Sequence, residues 1–244
     1  MKKKKVMIAC LFLFFVVIVG SVAQAYPFKV GEKLTYEVKS FGFVVGEETL
    51  EVKDIVQVNG HSTYLFVSTI KTVGFASLFY HFDEKIKSFV DIDTLHLRRL
   101  ITHSDEDTAR NEEIRVDVNL EQGIVVIEKK PQNHTWRKKF SLPILDGVSL
   151  IYWLRAQDLK VGKKFFVSSF IEDNSIRKLE VEVLRKEEVH TFSDSFSTFL
   201  CSEVASTGRR MWFSDDEGCI PIKIQAEASF GVITAYLSKI ELVE

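Results

Sequence analysis

Apolar and polar residues alternate with a period of two along most of this chain. Leu34, Tyr36 and Val38 alternate with Thr35, Glu37 and Lys39. Leu179, Val181 and Val183 alternate with Lys178, Glu180 and Glu182, and Ile220, Ile222, Ile224, Ala226 and Ala228 with more polar neighbours. Such segments predict strands with one face buried and the other wet, the habit of antiparallel sheets. Asn59-Gly60 between two such runs predicts a tight hairpin. Gln122-Gly123 and the stretch Asp215 to Gly218 predict further turns. The pattern amounts to about a dozen strands. One stretch departs from it. From Asp146 to Leu159 the residues Leu150, Ile151 and Leu154 recur at helical spacing, which predicts one helix near 147–158 capped by Asp146 or Ser149. Gly74 to Phe82 predicts a second, shorter helical turn. The expected fold is mainly β: a strongly curved antiparallel sheet, either a half-open barrel or a two-sheet arrangement, with one helix.

The alternation begins only after residue 25. Before it stand Lys2 to Lys5, an apolar run from Val6 to Gly20, and Ala23-Gln24-Ala25. A basic start, a short apolar run and small residues at an A-x-A site predict a secretory signal peptide, residues 1–25, cleaved between Ala25 and Tyr26. The run is too short for an ordinary membrane span of about 20 residues, and Cys10 lies too deep within it to become a lipidated terminus. The expected location is therefore the periplasm or the exterior, with no transmembrane span after cleavage. Four of the 32 basic residues leave with the signal, so 28 remain against 34 acidic ones, a formal charge of −6. That balance argues against a nucleic-acid partner and against electrostatic docking on anionic lipid. Of three cysteines, Cys201 and Cys219 remain. An oxidising compartment permits their single internal pairing, and two buried free thiols are the competing reading.

Four prolines and the lack of any Gly/Ser-rich or Pro-rich linker predict one domain, 26–244. Lys29-Val30-Gly31 and Lys160-Val161-Gly162 echo one another ahead of strands. Two related halves, 26–145 and 159–244, joined by the helix, would explain the echo, and so would chance.

Candidate chemistry is sparse. His81 is followed by Asp83 and Glu84, and Asp91 and Asp93 stand two apart on a predicted strand. The first set could hold a metal or serve acid/base work and the second acid/base work, yet both suit solvated strand ends better. Asp215, Asp216 and Glu217 supply too few ligands for calcium. No zinc spacing, nucleophile elbow or phosphate loop occurs, so no catalytic residue, metal or cofactor is predicted. The least ordinary feature is aromatic: 20 Phe in all, crowded at Phe41-Gly42-Phe43 and from Phe75 to Phe82. A Phe-rich core is the plain reading. An apolar groove is the functional one, with Phe75, Leu78, Phe79, Trp153 and Trp212 as candidate lining.

The stretch VGEKLTYEVKSFGFVVGEETLEV (Val30 to Val52) resembles the opening of the bacterial domain-of-unknown-function family 3108. Gly74-Phe75-Ala76-Ser77 leading to Phe89-Val90-Asp91, VSLIYWLRAQDLKVG (Val148 to Gly162) and RMWFSDDEGCIPIKI (Arg210 to Ile224) follow in the family's order. The resemblance covers nearly all of the chain after residue 25. It implies an exported protein of antiparallel β architecture and carries over no catalytic residue. The pattern of Trp212, Asp215 and Pro221 is also similar in form to the half-barrels of periplasmic lipoprotein carriers. The expected function is non-enzymatic: a lipid-like or apolar ligand, or an apolar segment of an envelope protein, held in a concave sheet. A hydrolase of envelope glycan or lipid using Asp91, Asp93 or His81, and a scaffold or assembly factor, stay open beside it.

Overall fold

The computed structural model describes residues 26–107, 111–192, 194–204, 208–228 and 231–243; the predicted signal peptide, 1–25, lies outside the described residues. Eight strands come first: β1 (Glu32–Ser40), β2 (Phe43–Val58), β3 (His61–Thr72), β4 (Phe82–Asp91), β5 (Leu97–Glu106), β6 (Glu112–Asn119), β7 (Ile124–Lys130) and β8 (His134–Lys139). A two-residue strand, β9 (Ile144–Leu145), leads into the helix α1 (Gly147–Arg155). Six more strands complete the chain: β10 (Lys164–Glu172), β11 (Ser175–His190), β12 (Ser195–Glu203), β13 (Arg210–Ser214), β14 (Pro221–Ala228) and β15 (Gly231–Leu242).

All fifteen strands form one curved, unclosed sheet, in the order β8-β7-β6-β5-β4-β3-β2-β1-β15-β14-β13-β12-β11-β10-β9. Among the described residues only β9 and β10 pair in parallel. The first and last strands are neighbours in the middle of the sheet, and its two free edges, β8 and β9, come from mid-chain. The count exceeds the expected dozen because the edge strands carry little alternation. β8 reads HTWRKK, and β9 is two buried residues.

The sheet wraps α1. A nine-residue helix is marginal by itself in water, so its stability comes from its surroundings: seven of its nine residues are buried. Val148 and Tyr152 join a core formed with Val52, Phe66, Val90 and Ile127. Leu150, Ile151 and Leu154 join a second core with Leu34, Phe170, Val181 and Phe213. Fully burying each such side chain contributes about 1.5–3 kcal/mol. Both expected caps are used at once. The Asp146 carboxylate accepts from the Val148 and Ser149 amides at 2.8 and 3.3 Å, and the Ser149 hydroxyl accepts from the Asp146 amide at 2.8 Å. Ser88 on β4 donates to the same carboxylate at 2.5 Å and so ties the helix start to the sheet.

The far end of α1 is tied by Arg155, whose side chain is wholly buried. Its guanidinium pairs with Glu32 and donates to the Pro27 and Gly218 carbonyls at 2.9 and 3.0 Å. It also lies over the rings of Phe28 and Tyr152, 5.5 Å from each centroid.

The two Lys-Val-Gly turns are built alike. Gly31 and Gly162 have φ of 90° and 83°, a region open to glycine, and donate to the Val52 and Val183 carbonyls. The strands that follow the first hairpin of each, β2 and β11, both run 16 residues. Asn59-Gly60 forms the β2–β3 turn with φ of 51° and 84°, as a type I′ turn requires.

A candidate binding mouth at the upper end of the sheet

The end of the sheet carrying the β1–β2, β3–β4 and β10–β11 turns is here called the upper end. The helix fills the lower part of the concavity. It starts at Asp146, level with Ser88, and runs down to Arg155 beside Pro27 and Gly218. Above its start the inner face changes character. Side chains directly opposite in register share a face, and the lowest row across β2, β3, β4 and β5 is Val52, Phe66, Ser88 and Leu100. The next row is Leu50, Ser68, Ile86 and Thr102. Above it stand Glu48, Ile70, Glu84 and Ser104, continued by Glu112 on β6, and higher still Gly46 pairs with Thr72 and Phe82 with Glu106.

Two carboxylates thus stand two strands apart, about 10 Å, on an inner face where neighbouring residues are apolar or hydroxylic. Burial pushes the Glu48 carboxyl up to about 7; the nearby Glu84 charge adds to the rise, and a 3.5 Å hydrogen bond from Ser68 opposes it. Burial also raises Glu84, helped by the charges of Asp173 and Glu106, against a 3.0 Å hydrogen bond from Ser104. Asp173 belongs to the β10–β11 turn, so the opposite wall reaches toward this row. Glu48, Ile70, Glu84 and Ser104 all remain partly accessible to water. Glu112 is neutralised by Lys129 at 2.7 Å.

The rim above this row is aromatic. Gly74–Leu78 forms a short 3-10 helix between β3 and β4, as the expected helical turn. It is held by the Val73 amide on the Val45 carbonyl at 3.1 Å and by the Ser77 hydroxyl on the Gly74 carbonyl at 2.7 Å. Phe75, Leu78 and Phe79 project from it, 75, 76 and 73% exposed, with the two rings packed edge to face at 4.8 Å. Phe41 and Phe43, at the adjoining β1–β2 turn, are equally open.

The five expected lining residues therefore divide. Phe75, Leu78 and Phe79 gather on the upper rim. Trp153 sits lower, on α1, edge to face with Phe165 at 5.8 Å. Trp212 is buried on β13, in the same core cluster as Met211 and Phe213. Its indole N–H donates to Glu187, and the Lys223 ammonium stands 4.1 Å over its ring. Its burial, and not its strand phase, keeps it out of an open groove. Glu48 was not among the expected site residues, and Glu84 was weighed only as a neighbour of His81; the signal for both was a charge at an inward register position, obscured at Glu48 because Glu47 is adjacent.

The acid/base candidates also divide. His81 lies at the upper end, 3.5 Å from Asp105. Asp91 ends β4 at the lower end, and that ten-residue strand spans about 30 Å. Asp91 accepts from the Asp93 and Thr94 amides and from Arg98 at 2.7 Å. Those partners hold its carboxyl below the usual range against the opposing effect of burial. It is a turn-forming residue, and Asp93 lies in that turn rather than on the strand. Asp216 does the same for the β13–β14 turn, accepting from Ser214, Gly218 and Cys219. Cys201 and Cys219 are buried free thiols. Burial pushes them up to about 12 and about 11, which disfavours the nucleophilic thiolate. Among the described residues no three His, Cys, Asp or Glu side chains group to hold a metal, and no helix is long and apolar enough to cross a membrane. Two surface clefts, of about 500 and 270 Å³, lie at the lower end beside Tyr26 and Asp158 and on the outer face beside His190 and Tyr236. Neither reaches the upper mouth.

The family model described as protein of unknown function (DUF3108) matches residues 35–238, from the first strand to the last. The chain belongs to the DUF3108 family. The crystal structure of a beta-barrel-like protein of domain of unknown function DUF1849 from Brucella abortus is similar in fold to this DUF3108 chain. It is 16% identical, with a TM-score of 0.56 over 88% of this chain and 98% of that one. No curated protein matches. Both likenesses speak to architecture, a mainly β, barrel-like sheet, and leave the activity of the DUF3108 mouth to its own residues.

Proposed function

We propose that this chain is a non-enzymatic binding protein of the bacterial envelope that takes a lipid-like amphiphile at the upper mouth. The observation that carries the reading is the placement of the partly accessible Glu48–Ile70–Glu84–Ser104 row below the end of the sheet that carries exposed Phe75, Leu78 and Phe79. Aromatic side chains left open in one place provide contact area for an apolar chain. A carboxyl held near neutrality and a hydroxyl beside it offer both donors and acceptors to a polar head. The predicted signal peptide supports the location. The separation of His81 from Asp91 removes the observation that would have favoured the hydrolase.

The test is titration of delipidated protein with an environment-sensitive fluorescent lysolipid. Saturable binding is expected, weakened about tenfold by Phe75→Ser with Phe79→Ser, since two large apolar contacts are lost. Because these positions are exposed, the melting temperature is expected to stay nearly constant. Absence of saturable binding, or binding indifferent to the rim and to Glu48→Ala, would sink the proposal.

A further inference from the structure

The sheet ends on one side at β8, which pairs with β7 alone. Its other edge has no strand beside it. Of its six residues, four are exposed, and along about 20 Å of strand the main-chain N–H and C=O groups on that side have no ladder partner among the described residues. The opposite edge differs: its last strand, β9, is two fully buried residues.

The edge is also charged. Arg137, Lys138 and Lys139 follow one another on β8, and Lys129 and Lys130 lie on the adjoining strand. The two β7 lysines are matched by Glu112 and Glu113 at 2.7 and 3.1 Å. Lys138 donates to the Asn174 carbonyl at 2.7 Å. Arg137 and Lys139 have no ion pair among the described residues. They stand two apart and so share one face, with Thr135, while Trp136 and Lys138 share the other. This concentration of positive charge belongs to a chain whose overall balance is negative.

The geometry points to β8 as a docking edge for an extended, acidic polypeptide segment that adds to the sheet as a sixteenth strand. Strand addition takes its affinity from main-chain hydrogen bonds and its selectivity from alternate side chains. An incoming strand with Asp or Glu at every second position sets them against Arg137 and Lys139, and its intervening apolar residues fall on the Trp136 face. A second copy of this chain is the wrong occupant, because β8 against β8 gathers Arg137, Lys138 and Lys139 of both copies along one seam. Lysine on an edge strand ordinarily prevents such pairing. The same charges attract an acidic strand, by the cross-strand preference for opposite charge.

A fluorescein-labelled peptide of five Glu-Val repeats is the probe, with a Lys-Val peptide as control, titrated by anisotropy against the chain from Tyr26 onward, which contains every described element. Saturable binding of the acidic peptide alone is expected, with amide exchange slowed at residues 134–139. Arg137→Glu with Lys139→Glu should weaken binding about tenfold or more, and Arg137→Gln with Lys139→Gln, which leaves no new charge to perturb folding, by a smaller factor. The proposal fails if the acidic peptide does not bind, if it binds without slowing exchange at 134–139, or if neither variant pair weakens it. It fails equally if vesicles of phosphatidylglycerol bind this edge and displace the peptide, which would make the site a lipid contact.

Discussion

Glu48 and Arg155 show how far a single buried charge can matter in this fold. The Glu48 carboxyl titrates at about 7 in the folded state against about 4.3 in an unfolded chain. The folded state therefore holds its proton more tightly. Below the unfolded value the group is protonated in both states and has no effect. As pH rises through the window between the two values, stability is lost, and above about 7 the whole penalty is present. Glu48→Gln should thus melt close to the wild type at pH 4.5 and higher than it at pH 8, by about 1–3 kcal/mol after allowance for its partial exposure. Thermal unfolding at the two pH values checks this; an advantage that did not grow with pH would contradict the assigned shift. Arg155 acts in the opposite sense. Removing it strands Glu32 and leaves the Pro27 and Gly218 carbonyls without their donor, so Arg155→Met should cost about 3–5 kcal/mol by denaturant titration. Adding Glu32→Gln should recover part of that loss, because the unpaired charge is then gone.

At the scale of elements, the helix is the best example of what could be read in advance. Asp146, Ser149 and the spacing of Leu150, Ile151 and Leu154 announce it, and the structure uses both caps. Asp146→Ala should be more damaging than a surface cap replacement, about 2–4 kcal/mol, since it also leaves the Ser88 hydroxyl buried without an acceptor. A urea midpoint unchanged by this substitution would mean that packing alone holds α1. The Asn59-Gly60 turn was equally legible, because both residues must adopt positive φ. Edge strands were not. β8 covers little of the core and therefore needs no apolar alternation, so its sequence looks like a loop. The mouth was half legible for a related reason. Phe75 and Phe79 stand out by residue type, whereas Glu48 and Glu84 acquire meaning only through register, which β-bulges at Val38/Lys39 and Val52/Asp54 hide from the sequence. Trp212 stands out by size as a lining residue, and the structure buries it in the core instead.

For the whole molecule, the ladder between β1 and β15 is the joint that makes one sheet of two runs of strands. It pairs Glu32 with Leu242 at one end and Ser40 with Ile233 at the other. Removing residues from 231 onward should leave β1 and β14 as open apolar edges, and the product should be found in aggregates rather than as a monodisperse species in size-exclusion chromatography. A soluble, well-dispersed truncation would show that the two runs fold independently.

That joint also orders events in time. Partners so far apart in sequence make for a high contact order and slow closure. A chain emerging from its N-terminal end can assemble hairpins as it goes, yet the strand that unites them is its last, 12 residues long. Until those residues arrive, β1 has one neighbour and presents its other side to whatever is nearby. The period of greatest vulnerability to misassembly is therefore set by the arrival of β15, and a chaperone serving this protein would have to hold β1 open for it.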